Sequence, residues 1–154
     1  MPRAFVYGAL MAHPHVLATG EAASVDDHEV RFVYRGLPLL EPSFAALEPS
    51  PGGRAWGVLV EWSDEAWARV CRRERGYDTR KVVARSRRSA EVECLAFVVT
   101  PWLRTRERTP SARYARLLLR GAEHHALPAE VIERYRALAE RGARWSTRLS
   151  ELFR

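Results

Sequence analysis

Glu74 is the residue in this sequence whose surroundings best suit it to chemistry. It falls at i+7 of a stripe that begins at Trp67 and runs through Val70 and Cys71, one face of a 3.6-residue period. The spacing predicts a helix capped by Ser63, with Asp64 and Glu65 in the first turn, where the helix dipole favours negative charge. Glu74 then ends the face turned to the core, while Arg72, Arg73 and Arg75 point elsewhere and can reach water. A carboxyl withdrawn from water has its pKa raised, towards the range useful for proton transfer near neutrality. The same spacing also fits a carboxylate at a fraying helix end that pairs with an arginine.

The second feature is Phe5-Val6-Tyr7-Gly8-Ala9-Leu10-Met11. A strand that breaks at a glycine can leave successive backbone N–H groups unpaired and aimed at one point, a concavity suited to a carboxylate or phosphate. The alternative is that Gly8 only permits a tight turn. Other groups are less well placed. His13 and His15 flank Pro14 and could be metal ligands, but no third ligand follows at useful spacing, so a surface turn is expected. Cys71 and Cys94 lack metal-ligand spacing and no histidine is positioned to activate a thiol, which predicts two reduced core residues.

Composition narrows the classes. The 154 residues, 47% hydrophobic and 29% charged, fit one globular domain with a real core. No apolar run approaches a membrane span and no signal-peptide pattern opens the chain, so a cytoplasmic protein without membrane partners is expected. The net charge of +6 comes almost wholly from arginine, Lys81 being the one lysine. The clusters Arg72-Arg73, Arg85-Arg87-Arg88 and Arg104-Arg106-Arg108 are short and interrupted by carboxylates. They predict a solvated face and no nucleic-acid partner, with acidic small molecules the beneficiaries of the field.

The elements that must position these residues follow from periodicity. The opening strand leads through a turn to a strand over Val25 to Arg35, with Val30, Phe32 and Tyr34 on one face, ended by Gly36 and Pro38. Leu39 to Leu47, broken by Pro42, reads as an edge strand or irregular crossing. Pro49-Ser50-Pro51-Gly52-Gly53 is the strongest turn signal. It precedes Arg54 to Trp62, apolar on both faces and so a central strand. After the Glu74 helix, closed by Gly76, come a strand to Arg85, a polar hairpin, a strand from Val92 to Thr100, and a loop to Pro110. Ser111 caps a helix carrying Tyr114, Leu117, Leu118, Gly121 and Ala122, and Leu127-Pro128 starts another with Val131, Tyr135 and Leu138. Gly142 is expected to end that helix, leaving residues 143–154 as a helical extension whose Trp145, Leu149, Leu152 and Phe153 can pack on the domain or on a second copy in a homodimer. Short strands with helices between them predict an α+β domain on a small, mixed, curved sheet or barrel.

Several of these motifs occur together in one family. Tyr7-Gly8-Ala9-Leu10-Met11, the Gly57-Val58 strand, the Glu74 to Tyr77 segment, and the block from Pro110-Ser111-Ala112-Arg113-Tyr114 through Gly121-Ala122 to Leu127-Pro128 stand in the order and spacing of the gamma-glutamylcyclotransferase-like, or AIG2-like, proteins. The final block resembles the gamma-glutamylcyclotransferases proper; Arg73 to Tyr77 resembles the glutathione-specific branch. The resemblance implies a small mixed β-barrel with flanking helices and a pocket at one end. It also implies that Tyr7, Gly8, Ala9 and Leu10 hold the alpha-carboxylate and amine end of a gamma-glutamyl substrate and that Glu74 is the acid/base. Tyr114 would be a pocket wall or hydroxyl donor. The implied reaction is attack of the substrate's own alpha-amine on its gamma-carbonyl, releasing 5-oxoproline and an amine. It needs no cofactor, metal or enzyme nucleophile. Two positions depart from the family: Ala9 stands where a small polar residue is usual, and Val70-Cys71 where a Leu-Asp pair is common. A catalytically silent binding or assembly module on the same scaffold is the competing expectation.

Overall fold

The computed structural model describes residues 1–37 and 40–152, Leu149 by its backbone alone. The expectations for Pro38, Leu39, Phe153 and the Leu149 side chain lie outside the described residues. Five strands close a barrel: β1 (Arg3–Val6), β2 (Glu21–Leu37), β3 (Glu41–Glu61), β4 (Tyr77–Ser86) and β5 (Val92–Val99), in the order β1-β3-β2-β4-β5. All neighbours are antiparallel except β1 and β5, whose parallel pairing of Ala4 with Leu95 and Phe5 with Ala96 completes the ring. The α+β class and the small mixed barrel expected from sequence are therefore what the chain forms.

Strand β3 is central in its second half, paired with β1 through Val58 to Glu61 and with β2 through Arg54 to Leu59. A strand flanked on both edges and covered on both faces keeps no polar side, and Ala55, Val58, Leu59 and Val60 are all buried. Gly57 sits where an added Cβ would lie 2.9 Å from the Phe5 ring, so the lack of a side chain lets β1 close on β3. In its first half β3 has only β2 as a neighbouring strand among the described residues.

Two expectations are corrected by tertiary pairing. The Pro49 to Gly53 cluster does not reverse the chain; β3 runs through it. Its residues are taken up as a bulge, with Asp26 opposite Arg54 and His28 opposite Pro49. The bulge uses Gly52 at φ +77° and Asp27 at φ +57°, and the Asp27 carboxylate accepts the Gly52 N–H at 2.9 Å. Because β2 continues on both sides, the turn chemistry bends the ribbon without ending it.

Four helices flank the barrel: α1 (Pro14–Thr19), α2 (Asp64–Arg73), α3 (Ala112–His124) and α4 (Ala129–Leu152), with 3₁₀ turns at Ala9–Ala12 and Pro101–Leu103. Gly142 does not end a helix, which is the second correction, since α4 passes straight through it. A Cβ there would lie 2.5 Å from the Ala112 nitrogen, so this glycine lets α4 cross against the start of α3. At Gly121 the Met11 main chain lies against α3, 3.0 Å from where a Cβ would sit. The core includes Phe5, Met11, Val16, Val58, Trp62, Leu118 and Tyr135.

Candidate active site

Helix α2 begins as the sequence predicts, with the Ser63 hydroxyl accepting the Ala66 N–H at 3.2 Å. Arg72 and Arg73 fall in its last turn, where positive charge suits the dipole. Glu74 is the C-cap: its N–H still reaches the Val70 carbonyl at 3.0 Å, but its backbone has left the helix at φ −83°, ψ 58°. Gly76, at φ +84°, completes the exit in a conformation that favours glycine. The Glu74 carboxyl lines a cavity of about 350 Å³. Burial pushes its pKa up. Arg73 and Arg75 line the same cavity, yet among the described residues Glu74 forms no ion pair and its carboxyl accepts no hydrogen bond.

Tyr7, Gly8, Ala9 and Leu10 line the same cavity. The chain leaves β1 at Val6 and tightens at once into the 3₁₀ turn, Met11 N–H donating to the Gly8 carbonyl at 3.0 Å. The first donors of such a turn have no partner within it. Gly8 is not in the left-handed region; its lack of a Cβ matters because one would lie 3.0 Å from the Tyr114 hydroxyl. The Tyr7 hydroxyl is committed, donating to the Phe97 carbonyl at 2.6 Å. What Tyr7 offers the cavity is therefore ring and backbone.

Tyr114 enters from α3, which Ser111 caps by accepting the Tyr114 N–H at 3.1 Å. Its oxygen accepts the Ala45 N–H at 3.1 Å, and the Ala9 amide bears on the same oxygen. Its own O–H proton remains available to donate. Burial holds the Tyr114 hydroxyl well above the usual phenol range, so it stays protonated.

Sequence reasoning did not single out Tyr34, Phe44, Ala45, Phe97 and Arg113 as cavity residues, and named Tyr77 only as the end of the Glu74 to Tyr77 motif, without a role in the site. Tyr77 donates to the Ala45 carbonyl at 2.6 Å, and Tyr34 to the Arg75 carbonyl at 2.6 Å. Ala45 sits opposite the irregularity between Arg31 and Tyr34, outside the regular ladder, and its N–H and C=O go to the two tyrosines instead. The rings run on as a wall: Trp67 on Phe97, Phe97 to Tyr77, Tyr77 on Tyr34, Tyr34 to Phe44, and Phe44 to Tyr114. Arg113 is anchored by Glu41 at 2.7 Å, which also accepts the Ser111 hydroxyl at 2.6 Å. No sequence spacing marks these groups, because four separate strands and a helix bring them together.

One carboxyl of raised pKa, a hydroxyl able to donate, the main chain of a 3₁₀ turn and an aromatic wall thus share one cavity. That set can move a proton between amine groups and stabilise a developing oxyanion. Elsewhere, His13 caps α1, its Nδ1 accepting the His15 N–H at 3.1 Å, and both rings lie against Trp62. Cys94 is buried, its thiol pushed up to about 11, and Cys71 is half-buried beside Glu74 with its pKa raised by burial. Among the described residues no group of three or more His, Cys, Asp or Glu could hold a metal ion, and no helix is long and apolar enough to cross a membrane.

The sequence profile of the AIG2-like family matches residues 54–135, just over half of the chain. No curated protein matches it. Among solved structures, a gamma-glutamyl cyclotransferase superposes with a TM-score of 0.74 at 20% identity, over 88% of this chain and 86% of that one. A yeast gamma-glutamyl cyclotransferase specific to glutathione gives 0.72 at 15% identity, over 94% and 96%. YkqA from Bacillus subtilis gives 0.77 at 22% identity, over 90% of this chain and 54% of YkqA. At these identities the likeness is one of fold.

Proposed function

The chain belongs to the AIG2-like family, and on that premise we propose that it is a gamma-glutamyl cyclotransferase. The observation that carries the reading is Glu74: a carboxyl of raised pKa, without a cationic partner among the described residues, that shares a cavity with the Tyr7 to Leu10 turn. In this reading the glutamyl end of the substrate lies on the backbone of Gly8, Ala9 and Leu10. The ionised Glu74 accepts a proton from the substrate's alpha-ammonium. The freed amine attacks the gamma-carbonyl carbon, forming the ring C–N bond, and the Tyr114 hydroxyl and nearby amides stabilise the oxygen that gains charge. The original amide C–N bond breaks as Glu74 returns the proton to the departing nitrogen, and the second proton of the attacking nitrogen passes by way of the same carboxylate to the freed amine, giving 5-oxoproline and an alkylammonium. Nucleophile and electrophile belong to one molecule, so the enzyme's work is orientation and proton transfer. Ala9 offers a backbone amide where a hydroxyl is usual, and so takes part through the main chain alone.

The test is to incubate the protein with a panel of gamma-glutamyl amino acids, peptides, amines and glutathione and to assay 5-oxoproline. Release from at least one is expected. Glu74→Gln should lower kcat by about 10²- to 10⁴-fold, as loss of a general acid/base does, while calorimetry still detects 5-oxoproline binding. Undiminished turnover by that variant would sink the assignment; binding without turnover in the native protein would favour a silent ligand-binding module.

A further inference from the structure

We infer that Tyr34 is the positioning residue for Glu74: its hydroxyl, donated to the Arg75 carbonyl at 2.6 Å, fixes the helix exit from which the carboxyl is aimed into the cavity. The inference rests on the cyclotransferase reading for its kinetic consequence only. Glu74 keeps one α2 bond, its N–H to the Val70 carbonyl at 3.0 Å, but its backbone has left the helical conformation and Gly76 turns the chain at positive φ, so the α2 ladder does not reach Arg75 and Gly76. Other elements hold it: from the start of β4, the Tyr77 N–H donates to the Glu74 carbonyl at 3.3 Å. From the end of β5, the N–H and hydroxyl of Thr100 both reach the Gly76 carbonyl, at 3.0 and 3.1 Å. From β2, on the cavity side, comes Tyr34.

Tyr34 is itself held in place. Its ring stacks on Tyr77 at 4.7 Å and meets Phe44 edge-on at 5.6 Å, and its backbone bridges to Arg104. The hydroxyl therefore cannot swing without breaking ring contacts. Gly76 completes the fit, because a Cβ there would run into the Tyr34 hydroxyl and lie 2.5 Å from Leu103. The Tyr34 proton is spent on a backbone carbonyl, so Tyr34 acts through Glu74 and not on a substrate. The other titratable or charged groups near the carboxyl are Tyr7 beyond β1, Tyr77 of β4, Tyr114 and Arg113 of α3, and Cys71, Arg73 and Arg75 on its own segment. Among the described residues, none of them donates to the Arg75 carbonyl, which Tyr34 holds.

The experiment compares the native protein with Tyr34→Phe, which keeps the ring stack and removes one hydrogen bond, and with Thr100→Val, which loosens the same exit from its other side. Glu74 is followed by ¹³C NMR of side-chain-labelled glutamate, its resonance assigned through Glu74→Gln, alongside kcat and KM for 5-oxoproline release. Loosening the exit admits water, so the Glu74 titration should move down towards that of an ordinary carboxylate in both variants. For Tyr34→Phe, kcat should fall by about tenfold with KM changed less than about twofold, the loss of one positioning hydrogen bond. An unmoved Glu74 titration in Tyr34→Phe, or a change confined to KM, overturns the inference. If the native protein turns over no gamma-glutamyl compound, the cyclotransferase reading fails separately, and the titration alone decides the role of Tyr34.

Discussion

Glu74 sets the pH behaviour expected of this protein. Acting as base it must be ionised, and burial places its pKa above that of an ordinary carboxylate. The acidic limb of the kcat/KM profile should therefore have its midpoint above about 4.3, the unperturbed glutamate value. Stability carries the opposite sign. A carboxyl whose folded pKa is raised contributes stability fully present below its unfolded pKa and lost as pH rises through the folded one. Glu74→Gln should thus raise Tm at neutral pH while it removes turnover, and the gain should vanish in acid below the ordinary carboxylate range. A Tm unchanged or lowered at pH 7 would contradict a desolvated carboxylate. Both the Glu74 stripe and the Tyr7-Gly8 break were legible in the sequence, because helical period and glycine placement are local properties. Tyr34, Tyr77 and Ala45 were not, since a hydroxyl's partner across the barrel depends on how the ring closes.

At the scale of elements, the strands, the Ser63 and Ser111 caps and the Leu127-Pro128 break could be read from pattern, whereas two glycine-rich signals were misread. Pro49 to Gly53 carries every mark of a reversal, and becomes a bulge because β2 supplies partners on both sides of it. Gly142 looks like a stop, and is a crossing point. This yields a discriminating substitution. Helix propensity alone predicts that Gly142→Ala stabilises by about 1 kcal/mol. Contact with the Ala112 backbone reverses the sign, and a net loss of about 1–2 kcal/mol is expected from overpacking. Urea unfolding of the two proteins decides between the terms. The cap at Ser111 does two jobs, closing the first turn of α3 and holding Glu41, so β3 and α3 meet at one hydroxyl.

For the molecule as a whole, some of the arginines form ion pairs at the surface, such as Arg85 with Asp26 and Glu91, and Arg31 with Glu107. Exposed pairs of this kind add little stability each. The barrel core holds the structure together, and Cys94 reports on it. With its thiol pushed up to about 11 and its side chain buried on β5, it should resist iodoacetamide at pH 8 in the native protein and react once the barrel opens. Native-state labelling at the rate of a free cysteine would show that the barrel opens locally.

Ala45 has a consequence of another kind. Its peptide groups are gripped by Tyr114 from one side and Tyr77 from the other, so a helix and a strand distant in sequence pull on a single link of main chain. That link works as a tie rod across the mouth of the barrel. A shift of α3 is handed on to β4, and through the Tyr77 to Tyr34 stack to the segment carrying Glu74. Through these contacts α3, β4 and the segment carrying Glu74 share one link of main chain.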